Sequence, residues 1–474
     1  MLRKLLSHAA LYGLAAQVPR VAGVLALPII TPYLTTTDYG VAGVVTAYVG
    51  ALGLFQSLGL SVVMGNTFTR HPTRFKWVWR QLHGFILLWS ALYSVPLVGL
   101  LYAVIPDEAE ANRWELILLN LVPVVLLSNT SFFGNFLYHM RQRPLPVAAY
   151  SFITGGVTVA LNIYFIAFLR LGYMGWFYAT FLASVAGFVL LFYPVYVQEG
   201  LWPIFKFKLY RIRSSLKVSL PLLPHHFSFF LLDASDKLML DALRVPLPRI
   251  GFYNIASSFG LYFSAASNAV VEAATPFYMR YFSKEGDPES LLEARRMTFS
   301  LQVLFLGATA LGSLWMKEVF ELLIRNETLQ GAYPLAIIML MGYTYRPMYL
   351  AVVNRLSFQE KTKELWKISL VAGVGNVLLN LLLIPVFGIE AAAFTTFAAL
   401  VYLGYSGFLL KEYRALSNVP YYPWRWLALT IVLLLAVYAL ADAGPLLKAL
   451  ISLLILAFAG SGLWRLNKAK AGAL

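Results

Sequence analysis

The chain has 474 residues, of which 59% are hydrophobic and 12% charged, and its mean hydropathy is +0.70. Soluble globular domains average about 25% charged residues, so this composition excludes an ordinary soluble domain. The net charge of +15 would suit a nucleic-acid partner, but the lysines and arginines cluster between apolar segments on alternate sides, as positive-inside membrane proteins require.

The N-terminus combines Arg3 and Lys4 with a following apolar run, as in a signal peptide. Arg20 and several prolines interrupt that run, however, and no small-residue cleavage site follows it, so we interpret it as a retained first helix. The chain has no cysteine, which excludes disulfides, thiolate metal sites and cysteine nucleophiles.

Crossing a bilayer takes about 20 mostly apolar residues in a helix, and about 14 segments of this kind follow one another along the chain. In chain order the predicted spans are 10–33, 41–64, 82–105, 115–138, 147–169, 175–197, 218–240, 250–276, 297–316, 332–353, 366–386, 390–410, 425–441 and 446–464. The sequence therefore predicts an all-α polytopic membrane protein.

The charge pattern orients these spans. With both termini in the cytoplasm, roughly 27 lysines and arginines fall in inner segments, roughly 7 in outer loops and roughly 3 within helices. Residues 70–80, 206–217 and 465–470 are basic inner segments, whereas the outer loop 106–113 is mostly acidic.

The basic segment 198–217 follows the sixth span and divides the chain into two six-helix halves. We predict an N-terminal half at 1–197, a cytoplasmic basic linker at 198–217, a C-terminal half at 218–410, and two additional helices with a cytoplasmic tail at 411–474.

Internal repetition supports this division. Asn162 and Gly172 lie at the junction of the fifth and sixth spans, and Asn380 and Gly388 lie in the same order at the junction of the eleventh and twelfth. A weaker pair matches 35–48 around Gly40 with 246–259 around Gly251. Each of these glycines, taken singly, is also explained by the need of a tight turn for a flexible backbone. Their repetition indicates two halves with pseudo-two-fold symmetry around a central cavity, the arrangement of alternating-access transporters.

These motifs, together with DASDKLMLDALRVPLPRIGFYNIA at 233–256, resemble the O-antigen and polysaccharide flippase family of the multidrug/oligosaccharidyl-lipid/polysaccharide (MOP) exporter superfamily. The resemblance implies that the chain moves an undecaprenyl-diphosphate-linked oligosaccharide from the inner to the outer leaflet of the bacterial plasma (inner) membrane. It also implies a transporter without a cofactor, not an enzyme, with the polysaccharide synthesis machinery as a candidate partner.

Two arginines lie within predicted spans, Arg20 in the first and Arg346 in the tenth. A charge inside a span costs at least about 2.5–3.5 kcal/mol and usually faces a bundle interior or a wet cavity. The planar guanidinium can donate two hydrogen bonds to a phosphate, so both are candidate diphosphate ligands. For Arg20 the structural alternative is an acidic partner on the seventh span.

The seventh span carries His225, His226, Asp233, Asp236 and Lys237. At about 100 degrees per residue, three of them (226, 233 and 237) share one stripe. Lys237 and the two histidines are candidates for substrate binding, and the two aspartates for ion coupling or gating. The alternatives are an Asp233–Lys237 ion pair, an interfacial role for the histidines, and a lysine that extends to the outer surface.

Glu272 and Arg280, near the inner end of the eighth span, complete the candidate residues. They can form a gate or only an interfacial ion pair.

Three other functions remain open. A lipid II flippase would share the fold and a basic cavity, whereas a multidrug exporter of the same superfamily usually has 12 helices and a more apolar or acidic cavity. A membrane glycosyltransferase or polysaccharide polymerase generally needs a large outer loop, and no predicted outer loop exceeds about 17 residues.

The sequence contains no glycine-rich loop of the kind that binds nucleotide phosphates. The energy for transport must therefore come from an ion gradient, the membrane potential or substrate flux.

Overall fold

The computed structural model describes residues 20–283, 288–361, 365–416 and 419–468. Within these ranges the chain is almost entirely helical and contains no strand, which confirms the predicted all-α class. The chain forms two compact units. Unit 1 extends to Phe230 and includes Pro246–Gly251, and unit 2 comprises Leu231–Val245 and the residues from Phe252 onward.

The helices of unit 1 are α1 (Arg20–Tyr33), α2 (Thr36–Gln56), α3 (Ser61–Arg70), α4 (Phe75–Val104), α5 (Asp107–Met140), α6 (Pro144–Phe168), α7 (Met174–Gln198) and α8 (Leu209–Ser219), followed by most of α9 (Leu223–Asp233). Their core is built from aromatic and branched side chains around Trp79, whose indole N–H donates to the carbonyl of Met64 at 3.1 Å.

The helices of unit 2 are α10 (Ser235–Ala242), α11 (Leu247–Phe282, after its first turn), α12 (Pro288–Leu314), α13 (Met316–Leu323), α14 (Glu327–Phe358), α15 (Leu365–Phe387), α16 (Ile389–Leu409), α17 (Lys411–Leu416), α18 (Pro423–Ala439) and α19 (Pro445–Lys468).

Each predicted span overlaps one or more helices in the described ranges. In the described ranges nine helices are long and apolar enough to cross a bilayer, and α1 and α18 are shorter apolar helices. The predicted count of about 14 spans stays a prediction.

Two predicted spans are each divided between two helices. The second, at 41–64, is broken between α2 and α3, where Leu58 and Gly59 have left-handed φ angles of 49° and 66°. The seventh is broken at Ala234, whose φ of −138° separates α9 from α10. Hydropathy averaged over a window does not detect such breaks, because the residues at a break in a helix can be as apolar as their neighbours.

Glycines at the repeated turns adopt the backbone conformation that the turns need. Gly172 precedes α7 and Gly388 precedes α16, and their φ angles are +55° and +66°. Asp38 reaches the first of these turns and accepts a hydrogen bond from the backbone N–H of Tyr173 at 2.8 Å. A side chain at either glycine would strain the connection between two antiparallel helices.

Gly40 and Gly251, the weaker repeat pair, pack against each other within unit 1. A Cβ at Gly251 would overlap the carbonyl oxygen of Thr36 and would lie 3.0 Å from the backbone nitrogen of Gly40. A Cβ at Gly40 would overlap the carbonyl oxygen of Leu247. The first turn of α11 and the first turns of α2 therefore cross with backbone against backbone, a packing that only glycine allows.

A buried lysine fixes the last helix within unit 2. Lys448 on α19 is fully buried, and its Nζ donates to Glu318 Oε1 and to the carbonyl of Ala441, each at 2.6 Å. Nearby, hydrogen bonds from Lys317 and Tyr333 lower the pKa of Asp442. The ion pair between Lys448 and Glu318 therefore holds α19 to α13 in addition to apolar packing. Loss of Glu318 would leave the charge of the buried lysine uncompensated.

We expect Gly251→Ala to destabilise the protein by about 1–3 kcal/mol, because the added methyl group has no space between the two backbones. Gly53→Ala is the matched control. Gly53 lies on α2, the helix against which Gly251 packs, and nothing lies within 4 Å of the position that a Cβ at Gly53 would occupy. Scanning fluorimetry on the intrinsic tryptophans should show a lower Tm for the first variant and an equal or higher Tm for the second. Equal Tm values would contradict the backbone crossing.

Candidate functional site

The carboxylate of Asp236 lies buried in unit 2, in the first turn of α10. Its Oδ1 accepts hydrogen bonds from the side-chain amides of Asn376 at 3.0 Å and Asn380 at 2.7 Å. Its Oδ2 accepts from the hydroxyl groups of Tyr253 and Thr396. We call these five residues the Asp236 cluster.

Helix geometry brings the donors together. Asn376 and Asn380 are four residues apart on α15 and therefore share a face, and Asn380 also donates to Asn376 Oδ1 at 3.2 Å. The hydroxyl of Thr395 donates to Asn380 Oδ1, so the amide of Asn380 is oriented by its neighbour on α16. A buried polar network is stable only when its members are satisfied in this way.

All four donors to Asp236 are neutral. No lysine, arginine or histidine forms an ion pair with Asp236 in the part of the chain that the structure describes. The direct hydrogen bonds to the carboxylate therefore come from dipoles, while the charge of Lys237, the next residue, acts on it without a direct ion pair. A proton or a small cation that reached the carboxylate directly would gain free energy.

A small cavity of about 30 Å³ adjoins the cluster. Asp236, Tyr253 and Thr396 line it, with Ser257 and Tyr343. A water molecule needs roughly 10–15 Å³ of such space, so the cavity has room for a water or a small ion. Carboxylate, amide and hydroxyl oxygens are the ligands that hard cations prefer, whereas the described residues include no group of three or more acidic, histidine or cysteine side chains that could hold a metal ion.

Arg346 is presented by a local irregularity of α14. The 3₁₀ turn Tyr343–Tyr345 ends the preceding helical segment, and Arg346 begins the next one beside Pro347. Its guanidinium donates to Ser264 Oγ at 2.6 Å and to Asn268 Oδ1, both on α11, and the rings of Tyr343 and Tyr345 lie 5.7 and 5.8 Å away.

The partners of Arg346 leave its charge uncompensated. Ser264 and Asn268 are neutral, and among the described residues no carboxylate forms an ion pair with it. Its Nε is buried without an acceptor. An oriented but unneutralised guanidinium is suited to an anionic ligand.

The structure gives less information about the other predicted site residues. Arg20 is the first described residue, and its side chain is exposed. Lys237 follows Asp236 on α10 and is half-buried. The helical backbone of His225, His226 and Asp233 is described, but their side chains lie outside the described residues, so their predicted roles and the Asp233–Lys237 pair stay predictions.

Glu272 and Arg280 lie on α11, and both side chains are exposed. They form no ion pair with each other within the described ranges. Eight residues of helix separate their Cα atoms by about 12 Å, which is too far for a direct contact along one helix. The described structure shows no such pair, and the roles of Glu272 and Arg280 in gating or in an interfacial ion pair stay predictions.

Sequence reasoning named Asp236 but missed the residues that surround it. None of Tyr253, Asn376, Asn380 and Thr396 is charged, so none of them stands out in an apolar segment as Asp236 does. The available signal was two asparagines spaced four apart in an otherwise apolar segment, since amides inside a span are costly unless they bond to a polar partner.

No protein-family model and no curated protein matches this sequence. Among solved structures, 29 chains match. The lipid II flippase MurJ in an inward-closed conformation has a TM-score of 0.68 at 11% identity, over 96% of this chain and 99% of MurJ. An inward-facing MATE multidrug resistance transporter of the MOP superfamily has a TM-score of 0.62 at 15% identity, over 86% and 95%.

A third match is a MOP-superfamily transporter from Pyrococcus furiosus, described as having a binding pocket of reversed polarity. Its TM-score is 0.51 at 14% identity, over 88% of this chain and 96% of that one.

The three matches together show that this chain has the fold of MOP-superfamily transporters. At such low identity the likeness concerns the fold, and the O-antigen flippase family is not established by it.

The asparagines of the internal repeat should differ in their effect on stability. Asn380→Leu removes a donor to Asp236 and the acceptor of Thr395, so we expect a loss of about 1–3 kcal/mol. The matched control is Asn162→Leu, because Asn162 Oδ1 is buried without a hydrogen bond in the described structure. Thermal unfolding should lower the Tm of the first variant well below that of the second, and similar losses would contradict a special role for the Asp236 cluster.

Proposed function

We propose that the chain is a membrane transporter that moves an undecaprenyl-diphosphate-linked oligosaccharide from the inner to the outer leaflet of the bacterial inner membrane. The observation that carries this proposal is the oriented, uncompensated guanidinium of Arg346 within a helix of membrane-spanning length. A diphosphate offers the paired oxygens that a guanidinium binds best.

Electrostatics favours an anionic over a cationic substrate at this position. An unneutralised positive charge repels a cationic drug and attracts a diphosphate, and both effects are stronger in a low-dielectric environment than in water. The rings of Tyr343 and Tyr345 are buried beside Arg346 and help to hold the guanidinium in place. Arg20, His225, His226 and Lys237 are proposed as further contacts to the diphosphate or the sugars.

Lipid II is the alternative substrate, because MurJ is a lipid II flippase and matches nearly the whole chain. Export of cationic drugs is the second alternative, because MATE transporters match as well. Membership in this fold favours a transporter over the glycosyltransferase or polymerase reading, since the structural neighbours are transporters and flippases. Both termini are proposed to lie in the cytoplasm.

Arg346→Ala should reduce flipping of the lipid-linked oligosaccharide by tenfold or more, because a charge-assisted hydrogen bond contributes about 1.5–3 kcal/mol. The purified chain would be reconstituted in liposomes with a fluorescent undecaprenyl-diphosphate oligosaccharide, and loss of inner-leaflet label would be followed. Arg425→Ala is the matched control, since Arg425 is an exposed arginine of the same unit that stacks on Tyr422.

Parallel liposomes with fluorescent lipid II and with a cationic dye separate the three substrates. Movement of lipid II alone would assign the chain to the first alternative, and movement of the dye alone would assign it to the second. Equal rates for Arg346→Ala and Arg425→Ala would overturn the role of Arg346 whatever the substrate.

We further propose that Asp236 couples transport to an ion gradient, because a buried carboxylate with neutral donors beside a small cavity can exchange a proton or a small cation. Asp236→Asn should abolish the acceleration that a proton or sodium gradient gives to the wild-type chain, since the amide carries no charge to exchange. Transport would be measured in liposomes with each gradient imposed in turn.

Asp442→Asn is the control for the loss of one carboxylate in unit 2, since Asp442 is largely exposed. It should keep the gradient response of the wild type. If Asp236→Asn still responds to the gradient as the wild type does, the coupling role is refuted. If no gradient affects the wild type, membrane potential or substrate flux must supply the energy instead.

A further inference from the structure

We propose that unit 1 carries a binding site for the phosphate headgroup of an anionic membrane lipid, formed by residues 199–219 and the end of α3. The site would take a resident lipid of the bilayer and not the transported substrate. It rests on observations in unit 1 that the proposed function does not use.

The segment between α7 and α8 is held firmly along α4. The backbone N–H of Ile204 donates to the carbonyl of Arg80 at 2.9 Å, and Arg80 Nε donates to the carbonyl of Trp202 at 3.0 Å. The ring of His83 is 3.1 Å from the carbonyl of Leu201. A Cβ at Gly84 would overlap the carbonyl of Ile204, so the segment lies directly on the helix backbone.

The acid of this segment is already neutralised. Glu199 forms a two-pronged pair with Arg141 and a 3.0 Å contact with Lys76. Burial by itself would raise the pKa of Glu199, but the hydrogen bonds from these two cations outweigh it, so its pKa is lowered. In the described structure Glu199 pairs with Arg141 and Lys76 and forms no ion pair with the lysines and arginines of residues 206–217.

Helix α8 continues the segment and is amphipathic. Ile212 is buried in the core of unit 1, whereas Leu209, Tyr210 and Phe205 are 77%, 63% and 56% exposed. Five lysines and arginines and no acidic residue lie between Lys206 and Lys217. Exposed apolar and aromatic side chains interspersed with cations are typical of a helix that lies on an anionic membrane surface.

A pocket of about 220 Å³ lies between the end of α3 and α8. Its polar lining includes side chains that can donate hydrogen bonds to a phosphate, namely Asn66, Arg70, His71, Ser214 and Ser215. Thr67 also lines the pocket, but its hydroxyl donates to the carbonyl of Val63 at 2.7 Å. Val63 and Val218 complete the lining, and no acidic residue contributes to it in the described structure. Guanidinium, imidazole, hydroxyl and amide groups around one open space are a suitable set for a phosphate.

The position and size of the pocket favour a lipid headgroup. The segment follows directly from α7, which is long enough to span a bilayer, so α8 lies near the end of a span, where headgroups are found. Drug-sized ligands occupy pockets of roughly 300–1,000 Å³, and this smaller pocket suits a phosphate with a short polar group better than an oligosaccharide.

The test is lipid binding to the purified full chain, measured by native mass spectrometry with phosphatidylglycerol and phosphatidylcholine of identical acyl chains. We expect phosphatidylglycerol to bind more tightly. Arg70→Gln should weaken its binding about fivefold, since one cation near an anionic surface contributes about that factor. Lys411→Gln, which removes one exposed charge from unit 2, should leave the affinity unchanged.

Ser214→Asp is the second variant, because Ser214 is exposed and the added carboxylate should repel a phosphate without disturbing the core. Equal binding of the two lipids by the wild type, or equal binding of phosphatidylglycerol by Ser214→Asp and Lys411→Gln, would overturn the proposal. Displacement of phosphatidylglycerol by millimolar inorganic phosphate would show a general anion site and would also overturn it. The lipids used are not the substrates proposed for transport, and binding is measured without transport, so the result does not depend on the proposed function.

Discussion

The Asp236 cluster shows the constraint on which the structure depends, namely that a polar group removed from water must find its partners within the protein. Asp236 has four neutral donors drawn from α11, α15 and α16. Each of these helices contributes a residue that would be costly by itself in an apolar environment. The network therefore specifies how these helices pack as well as stabilising one carboxylate.

The same constraint accounts for the differences between the repeated elements. Asn380 is fully used by Asp236 and Thr395, whereas Asn162 at the equivalent position of the sequence repeat leaves its Oδ1 without a hydrogen bond in the described structure. The turn glycines have a positive φ in both places. The two units thus share the positive φ at the turn glycine, whereas the hydrogen-bonded network around the repeated asparagine is found in unit 2.

Charge is distributed according to what each location can stabilise. Lys448 can be buried because Glu318 and a backbone carbonyl accept hydrogen bonds from its ammonium group. The carboxylate of Glu199 is stabilised by its pairs with Arg141 and Lys76. Arg346 differs, since its partners orient the guanidinium without neutralising it. An oriented charge of this kind is a better indication of a ligand than a charge in a satisfied ion pair.

The sequence by itself determined the all-α membrane class, the approximate positions of most helices and the turn glycines at 172 and 388, because hydropathy, helix length and glycine conformation are local properties. It also singled out Asp236 and Arg346, since charges are rare in apolar segments. Only the tertiary structure decided that Asn376, Asn380, Tyr253 and Thr396 surround Asp236, and that Gly40 meets Gly251. Those contacts join residues far apart in the chain, and no local pattern encodes which helix faces will meet.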